Sequence, residues 1–367
     1  MIRCRERLAR CLLVVSIAAT LGQGAVHASD PPPKAPAAEV NGFLEFARNR
    51  LDRATALKHS YVTGVEGWLF LVPELRAMTV GPFWGKQAAA VSRANNRKYA
   101  DPLAAIVDFD RQLKAAGIQL VVVPVPAKAS VYPEKLSPLV KIGRDRSPPR
   151  LDPYHRQFHR VLKQRGVGLL DLLPVFLKRR DDRAGPLYCR TDSHWSGRGA
   201  AIAAVALLDT LKKAQWRKGL VRFKSAAETR PVTITGDLAR LQSPDDPVTE
   251  TLPLTFAGSS GKNGKPQPVP VSRSSPVLVM GDSHTLVFHD PALFARGAGF
   301  PDHVAAGLGI PVDLVGVRGS GATATRITLL RRRDNLQGKK LVIWCFSIRE
   351  YTESFSGWRK VPVIRRR

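Results

Sequence analysis

Short, uninterrupted apolar runs alternate with stretches whose apolar residues fall three and four positions apart. The runs at Ile118 to Val125, Pro276 to Met280, 312–316 and 340–346 read as strands buried on both faces. A weaker run, Gly168 to Leu172, reads as a short strand. Helical spacing covers Asn41 to Lys58, Ala88 to Ala116, Tyr154 to Arg165, Gly197 to Lys213, 285–308 and 322–333, with another helix after Asp171 that ends in Lys178-Arg179-Arg180. Alternating strands and helices predict an α/β fold with a central, mainly parallel sheet and helices outside it. Two segments depart from this rhythm. Tyr61 to Val72 alternates around Gly-containing turns and predicts a β-hairpin. Arg222 to Val271 carries short strand-like pieces, the tripeptide Gly236-Asp237-Leu238 and a Gly/Ser/Lys/Pro loop, and predicts a small β insertion beside the sheet.

The amino terminus changes the picture of where the protein works. Arg3, Arg5, Arg7 and Arg10 precede the apolar stretch Cys11 to Leu21, and Val26-His27-Ala28 supplies a small-x-small cleavage site. The pattern predicts export by a signal peptide over residues 1–28. The same segment, if retained, would be a signal anchor at the inner membrane, although its apolar run is short for a span. A Pro/Ala linker and a helix follow over 29–58, a main domain over 59–355, and a basic tail over 356–367.

A composition of 44% hydrophobic residues in 367 supports a full core, and the formal charge is +27. Such a charge points to a polyanionic partner: nucleic acid, an anionic membrane surface or an acidic polysaccharide. A chain-wide preference for Arg explains it equally well. Export and the lack of any recognised module argue against nucleic acid. Cys189 and Cys345 are the cysteines of the exported chain, and they are expected either to pair or to stay as buried thiols. Neither CxxC nor Cys/His metal spacing occurs, so no metal and no cofactor is expected.

Two short stretches carry chemistry. Gly281-Asp282-Ser283 ends the buried run at Pro276 to Met280, which places a Ser hydroxyl at the carboxyl end of a central strand. By itself, such a tripeptide is more simply a helix cap. Thr191-Asp192-Ser193-His194-Trp195 supplies what a Ser nucleophile lacks, a base and a carboxylate to orient it. On an extended or looped segment, Asp192 and His194 face one side. The pattern therefore predicts Asp192, His194 and Ser283 as a catalytic triad forming an acyl-Ser283 ester. The oxyanion needs backbone donors. The Ser283 N–H is one, and Gly319 or Gly321, in the loop after the next strand, is another unless that loop only opens a helix. Arg349, after the last strand, would reach the same edge to hold a carboxylate or the oxyanion, or would simply pair with Glu350. Trp195 would stack on a sugar face, or fill the core. His284 is expected to start a helix without catalytic duty. His155, His159, His289 and His303 are expected at the surface or as caps.

These stretches resemble the SGNH-hydrolase-like domain of the alginate O-acetyltransferase (AlgJ/AlgX) family. The matching pieces are Gly64 to Phe70 (GVEGWLF), Pro124 to Pro133, Thr191 to Trp195, Gly281 to Ser283 and Trp344 to Glu350, in the family's order. The resemblance implies an SGNH-hydrolase-like three-layer sandwich with permuted motif order, because the Asp/His pair precedes the Ser. It also implies a periplasmic serine acetyltransferase acting on an exopolysaccharide, alginate-like or other. Asp192, His194 and Ser283 are the implied triad, and a membrane-bound O-acyltransferase is the implied acetyl donor. His284 departs from the family's Phe or Tyr after the Ser, and no Asn of the fourth SGNH block is evident. A polysaccharide acetyl esterase with the same triad, and a non-catalytic subunit of a synthase complex, are the competing readings.

Overall fold

The computed structural model describes residues 37–140, 142 and 148–365. The expected signal segment 1–28 and most of the linker after it lie outside the described residues. Among those residues, no helix is long and apolar enough to cross a membrane.

The described residues form nine strands: β1 Tyr61–Thr63, β2 Leu69–Leu71, β3 Gln119–Val125, β4 Ser225–Thr235, β5 Thr249–Ser260, β6 Pro266–Gln267, β7 Val277–Gly281, β8 Asp313–Gly316 and β9 Leu341–Ser347. The central sheet has the order β3-β9-β7-β8, and every pairing in it is parallel. Every residue of β7 and β9 is buried, as is β3 beyond its first residue. Both faces of these strands are therefore covered, as their continuous apolar runs require. The chain passes from β7 to β8 on one side, then crosses to β9 on the other. The carboxyl end of β7 is thus the point where strand order reverses, the place where open α/β sheets form a crevice.

The two predicted departures also appear. β1 and β2 form an antiparallel hairpin. β4, β5 and β6 form a separate antiparallel sheet, with the helix Asp237–Gln242 between its two long strands.

Three predicted elements are broken or reduced. The helix expected over Ala88 to Ala116 is split into Ala88–Val91 and Pro102–Ala115. Asp101 restarts it by accepting from the Leu103 N–H, with Pro102 in the first turn. The strand expected at Gly168 to Leu172 reduces to one bridge, between Val122 and Leu169. The helix expected over 285–308 is confined to Phe300–Leu308, because Pro291, Gly297 and Gly299 interrupt the approach.

The carboxyl-terminal segment is also not a free tail over its described part. Trp358, Val361 and Val363 are buried, Trp358 Nε1 donates to the Glu350 carbonyl at 3.0 Å, and the Ile364 N–H donates to Gln112 Oε1 at 3.2 Å. The apolar residues between its cations dock it on the core.

Candidate active site

Ser283 opens a 3-10 turn, Ser283–Thr285, directly beyond β7. Two features fix the turn. A Cβ at Gly281 would collide with the Cys345 carbonyl, so only glycine lets β7 close on β9 here. Asp282 caps the turn: its Oδ1 accepts from the His284 N–H at 2.9 Å, and its Oδ2 accepts from the Ser347 N–H at 2.8 Å. One buried carboxylate therefore holds both the turn and the end of β9. Charge from His284 and hydrogen bonds outweigh its burial and keep it ionised, well below the usual carboxylate range.

Asp192 and His194 lie on a looped segment closed by a bridge between Tyr188 and Trp195. Asp192 Oδ1 accepts from the His194 backbone N–H at 2.9 Å and stands 2.6 Å from the ring Nδ1. His194 Nε2 stands 2.7 Å from Ser283 Oγ. These partners fix the tautomer: Nδ1 carries the proton toward the carboxylate, and the Nε2 lone pair faces the hydroxyl. Burial disfavours the imidazolium, yet the charge and hydrogen bond of Asp192 outweigh it and raise the His194 pKa. The same pairing outweighs burial at Asp192 and holds its pKa well below the ordinary carboxylate value.

The loop is anchored from three directions by residues that carried no motif. Glu250 on β5 accepts from the Arg190 and Thr191 N–H groups, each at 2.8 Å, and from Thr191 Oγ1 at 2.6 Å. The buried ammonium of Lys128 donates to the Asp192 carbonyl at 2.5 Å and to the Leu69 carbonyl at 2.7 Å. Asp237 accepts from the Ser193 N–H at 2.7 Å and from Ser193 Oγ at 2.5 Å, and its own N–H donates to Asp192 Oδ2 at 2.8 Å. The only available signal for Lys128 was a cation inside the apolar loop after β3. Glu250 and Asp237 lie far from their partners in sequence, and no spacing announces them.

The remaining candidates fall in different places. Arg349 is half-buried, with Nη1 buried and unpartnered. It follows the end of β9, its N–H directed at Ser347 Oγ at 3.5 Å, and its charge reaches Asp282, Glu350, Glu74, His194 and His284. Gly321 packs on Asp282 and Phe346, and its N–H is directed at the Glu350 carboxyl. Gly319 occupies an exposed turn at φ +79, where a Cβ would meet nothing. Gly319 thus faces solvent, while Ser283 is buried.

Trp195 is fully buried. Its Nε1 donates to the His284 carbonyl at 3.1 Å and its ring packs on Phe300 and His284, so no face is left for a sugar. His284 is also fully buried, with its ring centroid 4.8 Å from that of His194. Its Nδ1 lies 3.2 Å from Asp282 Oδ1, its Nε2 has no partner, and burial lowers its pKa to about 4.

His155 and His159 are buried in the core, contrary to the surface placement expected, because both lie on the inward face of the helix Pro153–Gln164. Cys189 and Cys345 are buried free thiols. Asp192, His194 and Asp237 place ligand-type atoms within 4.8 Å of one another, the one such group among the described residues. Hydrogen bonds already engage Asp192 Oδ1 with the His194 ring and both Asp237 oxygens with Ser193, so a cation there would have to displace that network.

A family model described as "SGNH hydrolase-like domain, acetyltransferase AlgX" matches residues 62–348. The probable alginate O-acetylase AlgJ of Pseudomonas aeruginosa is 30% identical over 40% of this chain and 32% of its own length. That of Pseudomonas putida is 30% identical over 48% of this chain and 41% of its own length. The alignments thus span only a third to two fifths of these relatives. The solved O-acetyltransferase domain of Pseudomonas putida AlgJ superposes with a TM-score of 0.56 at 24% identity, covering 80% of this chain and 92% of that domain, a likeness of fold.

Proposed function

We propose that this chain, which belongs to the family of AlgX-type SGNH hydrolase-like acetyltransferase domains, is a serine O-acetyltransferase that carries an acetyl group on Ser283 to hydroxyls of an exopolysaccharide. One observation carries the reading: a single imidazole joins Asp192 at 2.6 Å and Ser283 Oγ at 2.7 Å.

Each half-reaction uses the same atoms. Ser283 Oγ attacks the carbonyl carbon of an acetyl ester or thioester donor while His194 Nε2 takes its proton. The oxyanion collapses, the donor's alcohol or thiol leaves, and His194 returns the proton to it. An acceptor hydroxyl then attacks acetyl-Ser283, gives its proton to His194, and Ser283 Oγ leaves and recovers that proton. Asp192 keeps Nδ1 protonated throughout and stabilises the imidazolium in each step. The Ser283 N–H is the proposed oxyanion donor, at the head of its turn.

The donor side is read as a membrane-bound acyl carrier and the site of action as the periplasm, both supported by the Arg-led apolar segment at the amino terminus. The acceptor is read as an anionic, uronate-bearing polymer. The chain's +27 charge and the unpartnered Nη1 of Arg349, whose charge reaches His194, support that reading.

Incubation with an activated acetyl ester, followed by acid quench and peptide mass spectrometry, tests the chemistry. Acetyl should appear on the Ser283 peptide, vanish in Ser283→Ala, and form on the order of 10⁴-fold more slowly or worse in His194→Ala. The rate should climb with pH as His194 loses its proton, with its midpoint above the ordinary value of about 6.5. Undiminished labelling in Ser283→Ala overturns the reading. Added oligosaccharide then separates transfer from hydrolysis, since free acetate as the only product would make the protein an esterase.

A further inference from the structure

Beyond the Asp/His/Ser set, the antiparallel sheet beside the main fold grips the loop that carries two of its members. The grip is made by backbone as well as side chains. A Cβ at Gly236 would collide with the Thr191 carbonyl and crowd the Asp192 amide, so the segment after β4 lies against the Asp192 backbone only because residue 236 is glycine. The next residue, Asp237, begins the helix Asp237–Gln242. Its amide N–H donates to Asp192 Oδ2, the oxygen that the His194 ring does not use. Its carboxylate accepts both the N–H and the hydroxyl of Ser193, the residue between Asp192 and His194. Ser193 Oγ in turn lies 3.5 Å from His194 Nδ1. All three residues of Asp192-Ser193-His194 therefore meet Asp237, directly or through one intervening atom.

We propose that Asp237 is a second carboxylate of the acyl-transfer site, a positioning residue that fixes the Asp192–His194 pair and strengthens the basicity of His194 through Ser193. The proposal rests on the reading of His194 as the base for Ser283. Asp237 bonds to Ser193 and Asp192, so its action runs through the pair.

Ionisable groups reach His194 from several elements. Asp192 lies on its own loop, and Asp237 on the helix after β4. His284 comes from the turn after β7, Arg349 follows β9, and Glu74 lies on the helix Val72–Thr79. Asp192 and Asp237 both favour the imidazolium, whereas Arg349 opposes it. Glu74 is buried, and desolvation raises its pKa to about 6. His284 is neutral near pH 7, since burial puts its pKa at about 4. Glu74 is still largely ionised at pH 7, but Asp237, although burial and the charge of Asp192 raise its own pKa, brings a carboxylate oxygen within 4.8 Å of a His194 ring nitrogen and favours the imidazolium next after Asp192.

The test reads His194 without needing turnover. In the full chain labelled with ¹³C-histidine, the His194 ring resonance, assigned by its loss in His194→Gln, is titrated in wild type and in Asp237→Asn. The substitution keeps the shape and removes one charge. The expected result is a His194 midpoint lower by about half a unit or more, a threefold or greater loss of proton affinity. The acid limb of Ser283 acylation should move down with it. An unchanged midpoint in a folded Asp237→Asn protein overturns the proposal.

Should Asp237→Asn fail to fold, Ser193→Ala carries the test, since it keeps the charge and deletes the hydroxyl link. Exchange of the His194 Nδ1 proton with water should then speed up several-fold, and a wild-type exchange rate counts against the link. If wild type is never acetylated on Ser283 while the His194 midpoint still falls in Asp237→Asn, the functional reading fails and the positioning stands.

Discussion

Asp282 does more than the capping that its sequence position suggested. It caps the turn after β7, the commonplace duty of an Asp there, and by also holding the Ser347 amide it presents the neighbouring Ser283 hydroxyl to His194. Glu350 shows the cost of a second buried carboxyl close by. It accepts from the Ala322 N–H at 3.2 Å, and burial, reinforced by the charge of Asp282, raises its pKa from 4.5 to about 8. Glu350 thus contributes most stability where the unfolded chain also holds the proton, below pH 4.5, and that contribution is lost as pH rises toward 8. Glu350→Gln keeps an acceptor and removes the titration. Relative to wild type, its stability should improve between about pH 5 and about pH 8, read by urea denaturation at each pH. An unchanged difference between the two proteins across that window would show that Glu350 does not hold its proton.

At the scale of elements, β7 and its turn are specified locally, while their fit is tertiary. The apolar run and the Gly-Asp-Ser that ends it announce a strand and a turn. They do not announce that Gly281 lies against the Cys345 carbonyl. Gly281→Ala should therefore cost about 1–3 kcal/mol or more in urea unfolding, since both backbones are buried and neither can yield. It should also slow Ser283 acylation. Gly319→Ala is the contrast, because its Cβ meets nothing and only the positive φ is strained, at a cost of about 1 kcal/mol. Equal effects from the two substitutions would contradict the close approach of β7 and β9. The broken helices follow the same division: periodicity marked apolar faces, while Asp101-Pro102 and the Pro291 to Gly299 stretch decided where helix could begin.

Over the whole molecule, a formal charge of +27 dominates the long-range field. If the acceptor is anionic as proposed, acetyl transfer to an oligouronate should fall steeply between about 0.05 and 0.5 M salt. Transfer to a neutral oligosaccharide should change little over that range. An identical salt response for both acceptors would return the charge to a mere preference for Arg. The fold's broad plan was legible because buried strands and amphipathic helices have different apolar periods. The order β3-β9-β7-β8 was not, since any of these apolar runs satisfies the same pairing rules. The docking of the carboxyl-terminal segment was not legible, because its cations are conspicuous in sequence while burial of Trp358, Val361 and Val363 depends on the surface they meet.

The sequence by itself determined the α/β rhythm, the Ser at the end of a buried strand and an Asp/His pair two residues apart. Each of these is a local pattern that fixes local geometry. Only the tertiary structure decided that β8 and β9 flank β7, that Trp195 is walled in, and that Asp237, Glu250 and Lys128 clamp the loop bearing His194. The physical reason is that a hydrogen bond or a close packing contact has no signature in either partner alone. It exists only when the fold brings together groups that are tens of residues apart.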